Sequence, residues 1–392
     1  MSAYDVSPEL EHSLNRWQKT ALIVGGILYL ASIIGGIFSP NQFFRSYLFA
    51  YLFWIGLALG SMAIVMLQYL TGGAWGVVTR RIFEAATRTL PLLAILFIPI
   101  LIGIPHLYNW AHPKIVQADD ILRHRSFYMN PTGFILRAIF YFAVWLTFAY
   151  FLNKWSREED EGGSRQLLLQ KLSAPGLILY VFTVTFSSID WAESLADHWF
   201  STMWGFLFVA NQGLIAMSFG IIVLALLYRR RPLSDVIRSS HFHALGKLLL
   251  MFVMLWAYFQ FSQLLIVWSG NLTHEIPWYM PRFATTWRAL SIALIYGQFV
   301  IPFLLLLSRP LKKNPWALSI VALILLTMRF VDLFWIVMPE FYKGFRVHWL
   351  NFSLPIALGG IWLGTFLWQL KKRPLLPLGD PTLEEALEYE GA

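Results

Sequence analysis

Residues 316–338 read WALSIVALILLTMRFVDLFWIVM. As a continuous helix this run rises about 34 Å, enough to cross a hydrocarbon core of about 30 Å. Only Arg329 and Asp332 carry charge in it. Its apolar residues follow one another without the alternation of a barrel strand, so it reads as a transmembrane helix. Nine further runs of this kind occur at residues 21–38, 47–70, 90–108, 133–152, 174–189, 201–228, 245–267, 286–307 and 352–370. The expected fold is all-α: a polytopic integral membrane protein with ten transmembrane helices in a single membrane domain covering residues 1–392. Interior prolines at 99, 302 and 355 are expected to kink or end spans.

Composition agrees with that reading. Of 392 residues, 57% are hydrophobic and 13% charged, against about 25% charged in a soluble domain, and the mean hydropathy is +0.58. The chain has no cysteine, which excludes disulfides and Cys-ligated zinc or iron-sulfur clusters within it. The net charge of +8 comes from short basic clusters bordering the apolar runs, a pattern of membrane topology, so nucleic acid is not an expected partner. Twenty Lys and Arg fall on the side of the termini and nine on the other. With Arg329 inside a span, these account for all 30. Both termini are therefore expected in the cytoplasm. Met1 to Thr20 lacks the basic start and cleavage site of a secretory signal, and the first span is expected to direct insertion. The loops on the other side carry Tyr108, Trp110, Trp191, Trp199, Trp268, Trp278, Tyr279 and Trp349, expected as an interfacial aromatic belt or a contact surface for a partner. The acidic run Glu158 to Glu161 is expected to be a solvated loop.

Charge inside a span costs at least about 3 kcal/mol, so polar residues there are the informative ones. Arg329 and Asp332 share a helix face in the outer half of the ninth run. They fit either an ion pair between packed helices or a site for an anionic or quinone-like headgroup or a proton. The connection between the fifth and sixth runs holds Asp190, Glu193, Asp197 and His198. A carboxylate near a histidine can relay protons, whereas Asp197 or Ser201 could simply cap the sixth helix. The seventh run adds Gln260, Ser262 and Gln263, the third ends at His106, and Asn211, Gln212 and Gln298 lie near mid-depth. All nine histidines fall in loops or at span ends, and there is no nucleotide-binding glycine loop or HExxH motif. No cofactor is therefore expected to be held covalently or by metal ligation.

Several segments resemble the NrfD-like superfamily, the membrane subunits of polysulfide-reductase-type complexes. They are DWAESLADHWFSTMWG from Asp190, LGKLLLMFVMLWAYFQFSQLLIVWSGNLTHEIPWY from Leu245, PFLLLLSR from Pro302, RFVDLFWIVMP from Arg329 and KRPLLPLGDPTLEEAL from Lys372. They run in order through the second half of the chain and are most similar to the F-type subunit family of alternative complex III, the quinone-binding subunit 2 of quinol:cytochrome c oxidoreductase. The resemblance implies ten helices arranged around two four-helix bundles in a bacterial inner membrane. It also implies a sister NrfD-like subunit, outer-side iron-sulfur and cytochrome c subunits, and lipids as partners. Quinone or menaquinone would be the one bound cofactor or substrate. The complex oxidises quinol, and the F-type subunit is assigned proton translocation or structural support. Asp190, His198, Arg329, Asp332, Gln260, Gln263 and His106 form the candidate proton-transfer or quinone-headgroup set, with no catalytic residue named. At Ala196-Asp197-His198 and at Thr273-His274-Glu275 the acid expected from the family pattern is missing or displaced. A secondary transporter and a purely structural membrane scaffold are the alternatives; a transporter favours broken helices at the midplane of an inverted repeat.

Overall fold

A computed structural model describes residues 4–388. Among them, ten helices are long and apolar enough to cross a membrane: α1 Pro8–Phe38, α2 Pro40–Thr71, α3 Ala74–Ile102, α4 Pro131–Asp160, α5 Gln166–Leu195, α6 Trp204–Leu227, α7 Ser239–Gly270, α8 Arg288–Leu307, α9 Pro315–Glu340 and α10 Leu350–Leu370. No strand occurs among the described residues. Proline opens α1, α4 and α9, where its missing N–H would be unpaired anyway. The preceding polar residue caps each: Ser7 accepts from the Leu10 amide, Asn130 from Gly133, and Asn314 from Trp316 and Ala317. Asn271 ends α7 in the left-handed region at φ 46, and Gly72 and Gly73, at φ 67 and 102, turn α2 into α3.

Helices α2 to α5 form one four-helix bundle and α6 to α9 a second, packed together along α2 and α6. At their crossing a Cβ on Gly60 would lie 2.0 Å from the Gln212 carbonyl oxygen, so only glycine permits that approach. Helices α1 and α10 pair outside the bundles. Gly25 and Gly360 face each other backbone to backbone, and Ser32 and Ser353 share a 2.9 Å hydrogen bond. The core of α2 and α6 is almost wholly buried, while α1, α7 and α8 present apolar flanks outward.

The third span starts at Ala74, well before the apolar run at residue 90. Its first turns looked like a loop because Arg80, Arg81 and Glu84 are charged, yet all three are buried by pairing. Arg81 binds Glu84 and Asp160, Arg80 binds Asp380, and Ser156 donates to Glu84 at 2.7 Å. The expectation of a solvated acidic loop at Glu158 to Glu161 is thereby corrected. Helix α4 continues through Asp160, and Glu159 and Asp160 face the arginines of α3. Farther along, α3 breaks at Pro91 and Pro99 into short turns, and the hydroxyls of Tyr47 and Tyr51 donate to the Leu96 and Leu93 carbonyls at 2.7 and 2.9 Å. A neighbouring helix thus satisfies the backbone groups that the breaks release.

After α10 the chain folds back over this end of the first bundle. Arg373 donates to the Asn153 carbonyl at 2.7 Å, the Leu378 amide to Asp160 at 3.0 Å, and the Leu375 amide to the Tyr4 carbonyl at 2.9 Å. His241, at the start of α7, meets the Ala386 carbonyl. The N-terminal segment, the C-terminal segment and the first turn of α7 therefore share one face, called here the terminal face.

Candidate functional site

The half of the second bundle away from the terminal face collects polar groups that its apolar helices would otherwise exclude. On α9, Arg329 donates to Asp332 from the same helix face. Asn211 of α6 lies 3.5 Å from that carboxylate through Nδ2, and Gln298 Nε2 of α8 donates to Asn211 Oδ1 at 3.1 Å. The chain Gln298, Asn211, Asp332, Arg329 thus crosses three helices. All four side chains are buried, and Gln298 Oε1 and Arg329 Nε have no hydrogen-bond partner. Leaving such atoms unpaired costs about 1–3 kcal/mol each, a reserve of hydrogen-bonding capacity inside a membrane protein. The Arg329 guanidinium also sits over the Phe208 ring at 5.3 Å.

Gln298 owes its position to a local defect. Pro302 has no N–H to give to the Gln298 carbonyl, and residues 295–300 take a π-helical turn that ends just before it. Such turns recur at functional sites because they re-aim a side chain. Gly297 lets this part of α8 approach α9, since a Cβ there would meet Met328 Sδ at 2.8 Å.

Beside Asp332 lies a void of about 10 Å³, lined by Asn211, Gln260, Gln263, Tyr279, Asp332 and Trp335 among others, the size of a single water. Gln260, Tyr279 and Trp335 separate it from a cleft of about 510 Å³ between α7 and α8. Met254, Tyr258, Phe261, Ile295 and Phe299 line the rest of the cleft. Tyr258 and Phe261 are each more than 60% exposed, so the cleft opens on the lipid-facing flank of the bundle. At its inner end the buried Tyr279 hydroxyl makes no well-formed hydrogen bond, with the Gln263 side chain bearing on it. Burial pushes the phenol above its ordinary pKa even with Arg282 nearby, so it remains a donor.

Arg282 fixes the loop that carries Tyr279. Its guanidinium stacks on Trp278 at 3.5 Å and donates to the Ile336 carbonyl and Glu340 carboxylate at 2.8 Å each. It caps the C-terminal end of α9 as a cation should. Trp335 Nε1 donates to Ser291 at 2.8 Å, and Ser291 to the Arg282 carbonyl at 2.8 Å, closing the ring of contacts around the cleft.

Of the sequence candidates, Gln260, Gln263 and Asp332 line one void, with Arg329 paired to Asp332. Gln263 accepts from Ser201 and is held at the void's edge. The other three lie elsewhere with their own partners. Asp190 accepts from Arg137 at 2.9 Å and from the Tyr141 hydroxyl at 2.7 Å, within the first bundle. His198 pairs with Asp119 at 2.6 Å, not with Asp190. His106 stacks on Phe44 and bonds Asn41 at 2.7 Å. Asp119 sits below the usual carboxylate range, through the Leu122 amide and then His198. Burial raises Asp197 despite its bond from Asn109. Neither Asp197 nor Ser201 opens α6, which begins at Trp204. The sequence placed Tyr279 in the interfacial belt and gave Trp335 no role. The Gly297 to Pro302 spacing was the one signal for the turn that presents Gln298. No group of three metal-ligating side chains gathers among the described residues.

Comparison with protein-family models gives no match, and comparison with curated proteins gives none either.

Proposed function

We propose that this chain is an integral membrane subunit of a quinol-oxidising electron-transfer complex, set in a bacterial inner membrane with its termini in the cytoplasm. The observation that supports the reading is the α7–α8 cleft, whose aromatic, lipid-facing flank ends at Tyr279 and Gln260. A quinol has that same division, an apolar tail and a ring with two hydroxyls. The tail enters from the bilayer between Tyr258, Phe261 and Phe299. The ring meets the Tyr279 hydroxyl and the Gln260 amide, two neutral groups that can donate and accept as the ring changes state. Asp332 lies behind Gln260 across a space one water can fill, a short path for a proton.

Oxidation removes two electrons and two protons from the quinol. The protons leave by the Gln260 and Asp332 side. The electrons pass to an iron-sulfur or haem partner docked on the face opposite the termini. The excess of Lys and Arg on the terminal side supports this orientation.

Trp256 and Trp335 line the cleft, so quenching of intrinsic fluorescence by a short-tailed quinone reads occupancy. Gln260→Leu is expected to weaken that binding about tenfold, the worth of one hydrogen bond to a buried ring. Unchanged quenching would remove the site. Purification in mild detergent tests the assembly: a stable isolated chain with no cytochrome or iron-sulfur companion would contradict it.

A further inference from the structure

Cations on the terminal face of the first bundle are matched by acids, as with Arg80, Arg81 and Arg373. On the same face of the second bundle they are not. His243 and Lys247 lie on the first turns of α7, and Arg309, Lys312 and Lys313 on the short helix Arg309–Lys313 between α8 and α9. The charges of Lys247, Lys312, Arg309 and Lys313 all bear on His243. Among the described residues, none of those four cations forms an ion pair.

This arrangement is held by packing. A Cβ on Gly246 would lie 2.7 Å from Lys312 Cγ, so the lysine stem runs directly across the α7 backbone and is only 8% exposed. Burial, and then the neighbouring Lys247 ammonium, hold Lys312 below the ordinary lysine range. Like charges gathered this closely repel, and an anion between them relieves the repulsion. What lies next to the cluster says which kind of anion. Lys247, Met251 and Met254 form one exposed stripe at i, i+4 and i+7 on α7, beside exposed Leu304 and Leu307 on α8. An apolar track thus starts at the cations and runs along the bilayer-facing flank. A soluble phosphate or an acidic polypeptide would leave that track unused. Basic pockets between helix ends next to apolar flanks suit lipid headgroups.

We propose that the terminal-face junction of α7 with the Arg309–Lys313 helix binds an anionic phospholipid with two phosphodiesters, its phosphates among Lys247, Arg309, Lys312 and Lys313 and one acyl chain along Met251 and Met254. The headgroup site uses none of the groups around Asp332 and meets the quinol cleft only where the acyl track reaches Met254, so retention in the headgroup variants tests it separately from the quinol reading.

The test uses the full-length chain, purified in detergent and stripped of lipid, titrated with diphosphatidylglycerol and, separately, with phosphatidylethanolamine. Native mass spectrometry counts the lipid retained. Diphosphatidylglycerol is expected to stay bound and phosphatidylethanolamine to be lost. Lys247→Gln with Lys312→Gln is expected to weaken retention on the order of 20-fold. Arg309→Gln with Lys313→Gln, both on exposed side chains, is expected to act in the same direction and serves if the buried substitution impairs folding. Wild-type retention in a folded double variant, equal retention of the two lipids, displacement by excess inorganic phosphate, or capture of an acidic polypeptide in place of lipid would each overturn the proposal.

Discussion

Each bundle buries an aspartate on its last helix, toward the end away from the terminal face, and the two are treated in opposite ways. In the first, Asp190 of α5 receives Arg137 and Tyr141 from α4, and the Arg137 guanidinium lies over Tyr128 at 3.8 Å. The bonds run between helices, both carboxylate oxygens are engaged, and the pair acts as a clamp. In the second, Asp332 takes its arginine from its own helix and only a 3.5 Å approach from Asn211, while Gln298 Oε1 and Arg329 Nε remain without partners. A pair within one helix ties no helices together. Its unspent donors and acceptors, beside a lipid-facing cleft, fit a group whose surroundings change as substrate comes and goes. The terminal face repeats the contrast, with arginines buried against acids in the first bundle and unmatched lysines in the second. Arg80 and Arg81 keep unpartnered nitrogens of their own, so the contrast lies in the pairing: charge pairs running between helices mark the part that holds the fold, and a pair within one helix beside a cleft marks the part available for chemistry.

The largest expected effect breaks the closed side. Arg81→Leu leaves the nearly buried Asp160 without its counter-charge, which costs about 3–5 kcal/mol, and Asp190→Leu, whose partner Arg137 is partly exposed, costs less. A marked fall in the thermal midpoint in detergent is expected for both, and a midpoint close to wild type would show that these pairs do not act as clamps. The open side is expected to behave differently. Removing Arg329 and Asp332 together, as Arg329→Met with Asp332→Leu, leaves no orphan charge and is expected to stay within about 1–2 kcal/mol of wild-type stability. Turnover of the assembled complex with quinol is nevertheless expected to fall at least tenfold. Wild-type turnover in that variant would reduce the pair to packing.

Smaller still is Tyr279→Phe. It deletes a buried hydroxyl that makes no well-formed hydrogen bond, so stability is expected to stay close to wild type, while quinone affinity falls by about 1 kcal/mol, read as a several-fold shift in fluorescence quenching. The smallest effect is expected at His198→Ala. Its ring is mostly exposed and paired only with Asp119, so turnover and midpoint should match wild type. Because folding depresses the Asp119 carboxyl, its contribution is present above the unfolded value and lost as pH falls toward the depressed one. Any loss in the variant is therefore expected above the unfolded carboxyl value, small because the pair is solvated, and to vanish in acid.

The ten spans were legible because bilayer thickness demands long apolar runs, and Arg329 with Asp332 because residues three apart share a helix face. The start of α3 was not, since hydropathy counts Arg80, Arg81 and Glu84 as polar and cannot see that Asp160 and Asp380, distant in sequence, neutralise them. The Asp190 clamp was missed for the same reason: its arginine lies on another helix. His198 was read beside Asp190 because the two are close in sequence, but the turn after Leu195 sends it to Asp119. The cleft itself has no sequence signature, because it exists only where α7 and α8 part.

The most direct measurement is photoaffinity labelling of the assembled complex in membranes with a short-tailed azidoquinone, followed by peptide mapping. Label on the Met254 to Phe261 stretch of α7, on Tyr279 or on the 295–299 turn of α8, lost in Gln260→Leu, is the expected result. Label confined to the first bundle, or to no part of this chain while turnover continues, would contradict a quinol site in the second.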